Sequence, residues 1–181
     1  MSPLRLRERR CGGFALIELL VVVAIIGILC TLIIPNLIDS LRKSKQKRTM
    51  SDMHLVGTAW LSWLTDQVSA SAAGLAEEPP EAQGFDWNNF DSVDAGAMNE
   101  LLVPIYASFV PVVDAWGGGY EYGAGESINA RSPMAIRSPG SDFVFSDGTY
   151  SEGSFPQIYY EEDIVWSSGY FVHWPAGLLT K

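Results

Sequence analysis

The residues with the most informative chemistry lie where a basic segment meets an apolar one. Four arginines precede Gly12 and Gly13, and a nearly unbroken apolar run covers residues 14–34. A cut after Gly13 would remove the basic segment and leave the apolar run on the chain, with a new α-amino group at Phe14. An ordinary secretory signal has its small-residue cleavage site after the apolar region, so this order of segments differs from one.

Glu18 is the one charged residue within the apolar run. An ionised side chain in a membrane helix costs about 2.5–3.5 kcal/mol on insertion scales, so it needs a compensating partner. The amino group that cleavage creates at Phe14 is suitable, most readily on a neighbouring subunit displaced along a filament. The alternative is that Glu18 is protonated, or reaches the lipid headgroups, and has no partner.

The apolar run predicts a membrane helix. At the helical rise, residues 14–34 span about 31 Å, roughly the hydrocarbon thickness of a bilayer. Pro35 follows directly and is expected to bend or locally open the helix. Beyond it apolar residues recur at three- and four-residue steps, which predicts one helix over about residues 14–68 whose second half packs on a head domain. The predicted packing positions are Met50, Met53, Gly57, Trp60 or Leu61, Leu64 and Val68.

The remaining residues predict a small head of mixed structure. Small, acidic and proline-rich residues at 69–84 predict a loop, and residues 99–103 predict a short helix. Aromatic and β-branched runs between Gly, Ser and Pro clusters predict strands at residues 119–122, 142–146, 157–160 and 170–174. The predicted fold class is α+β, with the long N-terminal helix on a small antiparallel sheet.

Charge is unevenly distributed along the chain. From Asp52 onward there are 18 acidic and 3 basic residues, a net charge of −15. Such a head is not expected to bind nucleic acid, since it cannot displace phosphate counterions. It could bind a divalent cation or a basic partner, or simply stay soluble. Five basic residues at 42–48 lie just beyond the apolar run and could meet lipid headgroups, acidic surfaces of neighbours, or only solvent.

The sequence predicts no catalytic activity. Its only histidines are His54 and His173, and its cysteines, Cys11 and Cys30, lie outside the predicted head. No nucleophile elbow, zinc-ligand cluster or phosphate-binding loop is present.

The N-terminal segment resembles a known processing motif. Residues 13–29, GFALIELLVVVAIIGIL, together with Pro35 resemble the cleavage and methylation motif of type IV pilins and type II secretion pseudopilins. The resemblance implies cleavage after Gly13 by a prepilin peptidase, an aspartic membrane protease acting on the cytoplasmic side. It also implies N-methylation of Phe14, and assembly roles for Glu18 and Pro35.

Three further segments resemble the major pseudopilins of type II secretion. Residues 48–59 are similar to their helix. Residues 114–122, DAWGGGYEY, resemble their Asp-Pro-Trp-Gly-x-x-Tyr-x-Tyr segment, with Ala115 in place of proline. Residues 141–148, SDFVFSDG, followed by 162–166, resemble their C-terminal loop, which holds a calcium ion. The insert at 84–99 and the tail at 167–181 depart from the family pattern.

The loop resemblance implies calcium as a cofactor. Calcium takes six to eight oxygen ligands from carboxylates, carbonyls and water. The candidate ligands are Asp147 and Asp163, with further oxygens from Glu152 and Glu162. The alternative is that these residues are turn-forming aspartates and solvated glutamates.

The resemblance implies a structural subunit with a leader (1–13), a transmembrane segment (14–34), a periplasmic half of the helix (35–68) and a globular head (69–181). It would be a single-pass protein of the bacterial inner membrane, with its head in the periplasm. Its implied partners are further copies in a filament, other pseudopilins and inner-membrane secretion components. One alternative is a type IV pilin or minor pilin for adhesion, motility or DNA uptake. Another is a single-pass receptor with an acidic ligand-binding head, which predicts no processing at Gly13.

Overall fold

The protein is described by a computed structural model, which covers residues 16–71, 85–125 and 132–178. The chain divides into two compact units, Met1–Ser40 and Leu41–Lys181. The predicted leader and most of the predicted loop at 69–84 lie outside the described residues. One helix, α1 (Leu16–Ser71), runs through both units.

In the first unit, α1 exposes its apolar side chains over its whole surface. None of its most apolar 18-residue stretch is buried. Among the residues that the structure describes, it is the one helix long and apolar enough to cross a membrane. Helix α1 continues through Pro35 and ends at Ser71, so the prediction of a single long helix is confirmed.

The second unit contains the head, which has eight strands among its described residues. Six of them form one sheet in the order β2-β3-β4-β7-β8-β6, and β1 pairs with β5. The α+β class is confirmed, but the sheet is mixed, because β6 pairs with β8 in parallel while the other pairs are antiparallel. The strands are β1 (Phe85–Asp86), β2 (Phe90–Val93), β3 (Glu121–Gly125), β4 (Met134–Ser138), β5 (Thr149–Tyr150), β6 (Gly153–Phe155), β7 (Ile164–Ser167) and β8 (Tyr170–Pro175).

The large sheet is covered on both faces. Met134 and Ile136 of β4 lie in a core cluster with the second half of α1, whereas Ala135 between them belongs to a second cluster. Successive side chains of a strand point to opposite faces, so β4 contributes to both layers. The predicted stripe on α1 is confirmed at the buried positions Met50, Met53, Trp60 and Leu64. The second layer comprises Phe85, Trp87, Tyr150, Val165 and Val172 with Ala135.

Two predicted strands are wrong. Residues 142–146 and 157–160 form turns and loops instead. Several of their apolar side chains are exposed, with Phe143 and Ile158 at 57% and 66% of full exposure, although Tyr160 is buried. Phe143 also has a φ of 63°, which a strand does not accommodate. Aromatic and branched composition therefore did not signal a strand in these two segments.

The other predicted elements are present with shifted ends. Strand β3 begins two residues later than predicted, and β8 ends one residue later. The predicted short helix is α2 (Ala95–Leu102), which begins earlier than expected because Asp94 caps it. The Asp94 carboxylate accepts a hydrogen bond from the Gly96 N–H, as expected of an N-cap residue.

Candidate assembly segment and head loops

Glu18 lies in the first turn of α1 and is exposed. A carboxylate at this end of a helix interacts favourably with the helix dipole. Glu18 makes no hydrogen bond or ion pair with other described residues. Its predicted partner, the amino group of Phe14, lies outside the described residues, as does Gly13. The pairing of Glu18 with a cleaved N-terminus stays a prediction.

The basic segment at 42–48 has its charges on the exposed side of α1. Gln46 is buried, while Lys43, Lys45 and Lys47 are exposed. Arg42 is directed to the head, with its guanidinium 5.3 Å from the centre of the Tyr160 ring. The lysines are therefore accessible to an external partner, whether lipid, protein or solvent.

Asp114 organises the segment that resembles the pseudopilin Asp-x-Trp-Gly pattern. Its buried Oδ1 accepts hydrogen bonds from the backbone N–H groups of Trp116, Gly117 and Gly118, each at 2.8 Å. Its Oδ2 accepts a 2.7 Å hydrogen bond from the Ser138 hydroxyl at the end of β4. One carboxylate thus fixes a turn and joins it to the sheet.

The glycines after Asp114 fit this turn. Gly117 has a φ of 101°, which residues with a side chain rarely adopt. A Cβ on Gly118 would lie 2.8 Å from the Pro139 ring. The adjacent Ala115 N–H donates to Thr49 Oγ1 of α1 at 3.3 Å. The segment therefore connects helix and sheet, a role that sequence resemblance alone did not assign.

Asp163, a predicted calcium ligand, is buried directly before β7. Its Oδ2 accepts hydrogen bonds from the Tyr150 hydroxyl and from the Ser146 N–H at 2.9 Å. Its Oδ1 is buried without a hydrogen-bond partner within the described ranges. Burial raises the pKa of Asp163, an effect opposed by the hydrogen bonds from Tyr150 and Ser146 and by the charge of Arg137.

The other three predicted ligands are engaged elsewhere or exposed. Asp147 Oδ1 accepts a hydrogen bond from the Thr149 N–H at 3.3 Å. Glu162 Oε2 lies 3.5 Å from Nε2 of His173, and Glu152 is exposed.

The described residues contain no group of three Asp, Glu, His or Cys side chains arranged to hold a metal. Asp163 Oδ1 is the one buried, unpaired carboxylate oxygen among the four predicted ligands, whereas calcium takes six to eight ligands. The four residues therefore do not fit a calcium site of the expected composition, and calcium binding stays a prediction.

The chain is similar in sequence to a known motif family and to several known proteins. The family description "Prokaryotic N-terminal methylation motif" matches residues 9–34, which include Gly13, Phe14 and Glu18. The type IV major pilin protein PilA of Myxococcus xanthus is 33% identical over 132 residues, 71% of this chain. The type II secretion system core proteins G of Klebsiella michiganensis and Pseudomonas aeruginosa are each 26% identical, over 81% and 76% of the chain.

The matches differ in how much of each relative they cover. The chain spans 59% of the Myxococcus pilin, against 99% of the Klebsiella protein and 88% of the Pseudomonas protein. No solved structure matches significantly.

The methylation motif overlaps the start of α1, an apolar N-terminal helix whose second half packs on an α+β head. The chain is thus similar to a type IV major pilin and to type II secretion core proteins G, and it carries the N-terminal methylation motif.

Proposed function

We propose that the chain is a structural subunit of a type II secretion pseudopilus, similar to the major pseudopilin, and not an enzyme. The observation that carries the proposal is the exposed apolar run of α1 at residues 16–34, which contains a single acidic residue, Glu18. Likeness to the core proteins G over nearly their whole length supports the assignment to secretion.

The exposed helix needs two apolar environments in succession. An apolar surface of this extent is unfavourable in water, so the newly made subunit resides in the inner membrane. Extraction into a filament then requires that helices of neighbouring copies replace the lipid. The acidic head stays in the periplasm, where the copies assemble with other pseudopilins and inner-membrane secretion components.

A type IV pilin is the second candidate function. Its supporting observation is the 33% identity to the Myxococcus major pilin, which exceeds the identity to the long core protein G matches. Deletion of the gene separates the two functions. Loss of protein secretion with normal surface filaments supports the pseudopilus, and loss of surface filaments with normal secretion supports the pilus.

The mature protein is expected to begin at a methylated Phe14. Cleavage after Gly13 removes the arginine-rich leader while the apolar anchor is retained. Intact mass and N-terminal sequencing of the membrane-extracted protein measure this directly. A native chain that still begins at Met1, in cells with an active prepilin peptidase, would contradict the proposal and support the receptor alternative.

Glu18→Ala is expected to leave membrane insertion intact and to reduce assembly roughly tenfold or more. The substitution leaves the neighbouring α-amino group without a counter-charge in an apolar filament core, and an unpaired charge there costs a few kcal/mol. Assembly is measured as the sedimentable filament fraction, with insertion checked by carbonate extraction.

Asp39→Ala provides the matched control, because Asp39 is an exposed acid on the same helix beyond the apolar run. It is expected to assemble normally. Equal assembly of Glu18→Ala and the wild type would remove the pairing argument.

A further inference from the structure

Arg137 is a nearly buried arginine at the centre of the second layer of the head. It lies on β4, directly opposite Glu121 of β3, and its side chain is 10% exposed. Its guanidinium carbon lies 4.4 Å from the centre of the Trp87 ring and 4.3 Å from that of Phe145. Cation–π contacts of this kind are strongest when they are shielded from water.

The guanidinium makes three hydrogen bonds. Nε and Nη2 donate to Glu121 Oε2 at 2.9 and 2.7 Å, and Nη1 donates to the Tyr150 hydroxyl at 3.1 Å. The Tyr150 hydroxyl in turn donates to Oδ2 of Asp163. The cation is therefore joined to the buried carboxylate through one hydroxyl group.

These contacts converge on the loop that resembles a calcium-binding loop. Phe145 of this loop contacts the guanidinium, and the next residue, Ser146, donates its N–H to Asp163. Trp87 belongs to the 3-10 turn (Trp87–Asn89) and Tyr150 belongs to β5, so both of these elements also contact the guanidinium. Two consecutive loop residues therefore attach the loop to the sheet. Phe145 contacts Arg137 and Ser146 binds Asp163, and Tyr150 links these two partners by hydrogen bonds.

We propose that the guanidinium of Arg137 is the resident cation of this head, tying the 139–148 loop to the sheet so that the fold does not require a bound calcium ion. A guanidinium suits this position better than an ammonium, because it donates in several fixed directions and packs against aromatic rings. The misfit of the predicted calcium ligands is consistent with this assignment. The proposal holds whether or not the chain assembles into a filament.

The test uses the full-length chain in detergent, with thermal unfolding followed by near-UV circular dichroism. All six tryptophans lie beyond residue 41, so the signal reports on the head. The wild type is melted with a calcium chelator and with millimolar calcium. Arg137→Met removes the charge at similar length, and Arg137→Lys keeps the charge but loses the fixed set of donors. Arg48→Met is the matched control, because the Arg48 side chain is 76% exposed and has one weak ion pair with Asp52.

The chelator and calcium are expected to leave the wild-type Tm unchanged within error. Arg137→Met is expected to lower it by about 10 °C, since it removes a nearly buried donor from the Tyr150–Asp163 hydrogen-bond chain and from the 40% exposed Glu121 carboxylate. The Tm of Arg137→Lys should lie between those of Arg137→Met and the wild type. The Tm of Arg48→Met should equal that of the wild type. The proposal is overturned by a chelator-induced fall in the wild-type Tm, or by an Arg137→Lys Tm equal to the wild type. If Arg137→Met does not fold, these two measurements still decide.

Discussion

Replacing Asp114 with alanine is expected to lower the free energy of unfolding of the head by about 4 kcal/mol. The substitution removes acceptors from three backbone N–H groups and from the Ser138 hydroxyl, all in or near a buried turn. Hydrogen bonds to a charged group contribute about 1.5–3 kcal/mol each, and stranded buried donors add a desolvation cost. Chemical denaturation of the full chain in detergent, followed by tryptophan fluorescence, measures the loss.

Two variants show whether the hydrogen bonds cause this loss. Asp114→Asn retains an oxygen for the N–H groups and can donate to the Ser138 hydroxyl, so it should lose less than half as much. Asp142→Ala removes a single exposed acceptor, which receives the Val144 N–H at 3.1 Å, and should cost under about 1 kcal/mol. Equal losses for Asp114→Asn and Asp114→Ala would contradict the hydrogen-bond account.

The importance of Asp114 also shows the limits of sequence reasoning. The long helix was predictable because its periodicity is local, and the burial of Met50, Met53 and Trp60 follows from spacing alone. The N-terminal motif was recognisable for the same reason, since its residues are contiguous. In contrast, Asp114 depends on Ser138, which is 24 positions away, and that contact exists only after the sheet forms.

The strands were harder to predict because the head is layered on both faces of the sheet. All residues of β4 and β7 are buried, so these strands have no alternation of apolar and polar residues. Strand β4 even includes an arginine, which composition assigns to the surface. Exposed apolar residues such as Phe143 and Ile158 led to the two wrong strand predictions at residues 142–146 and 157–160.

The role of Arg137 could not be found from the sequence for a related reason. Its partners lie at positions 87, 121, 145 and 150, on four different elements or loops. An arginine in an acidic domain indicates no specific contact by itself. The resemblance to the calcium-binding loop instead indicated the four carboxylates. Among the described residues these side chains do not form a group of three that could hold a metal.

Gly57→Ala is expected to destabilise the head by about 3 kcal/mol, although alanine favours a helix over glycine by about 1 kcal/mol. A Cβ at this position would lie 2.4–2.6 Å from Cη2, Cζ3 and Cζ2 of Trp166. The Trp166 ring is fully buried in the core cluster between α1 and the sheet, so neither side can move without opening the core. The denaturation midpoint of the full chain in detergent measures this cost.

Combining Gly57→Ala with Trp166→Phe should recover much of the loss. Phenylalanine removes the part of the indole that the new methyl group meets, together with the Trp166 Nε1–H, which is buried without a partner in the described part of the chain. The two substitutions contact one another, so a strong favourable coupling is expected in the double-mutant cycle. Gly27→Ala on the same helix, where a Cβ would meet nothing within 4 Å, should leave the midpoint unchanged. Strictly additive losses for the pair would show that Gly57 is required for a reason other than space for this ring.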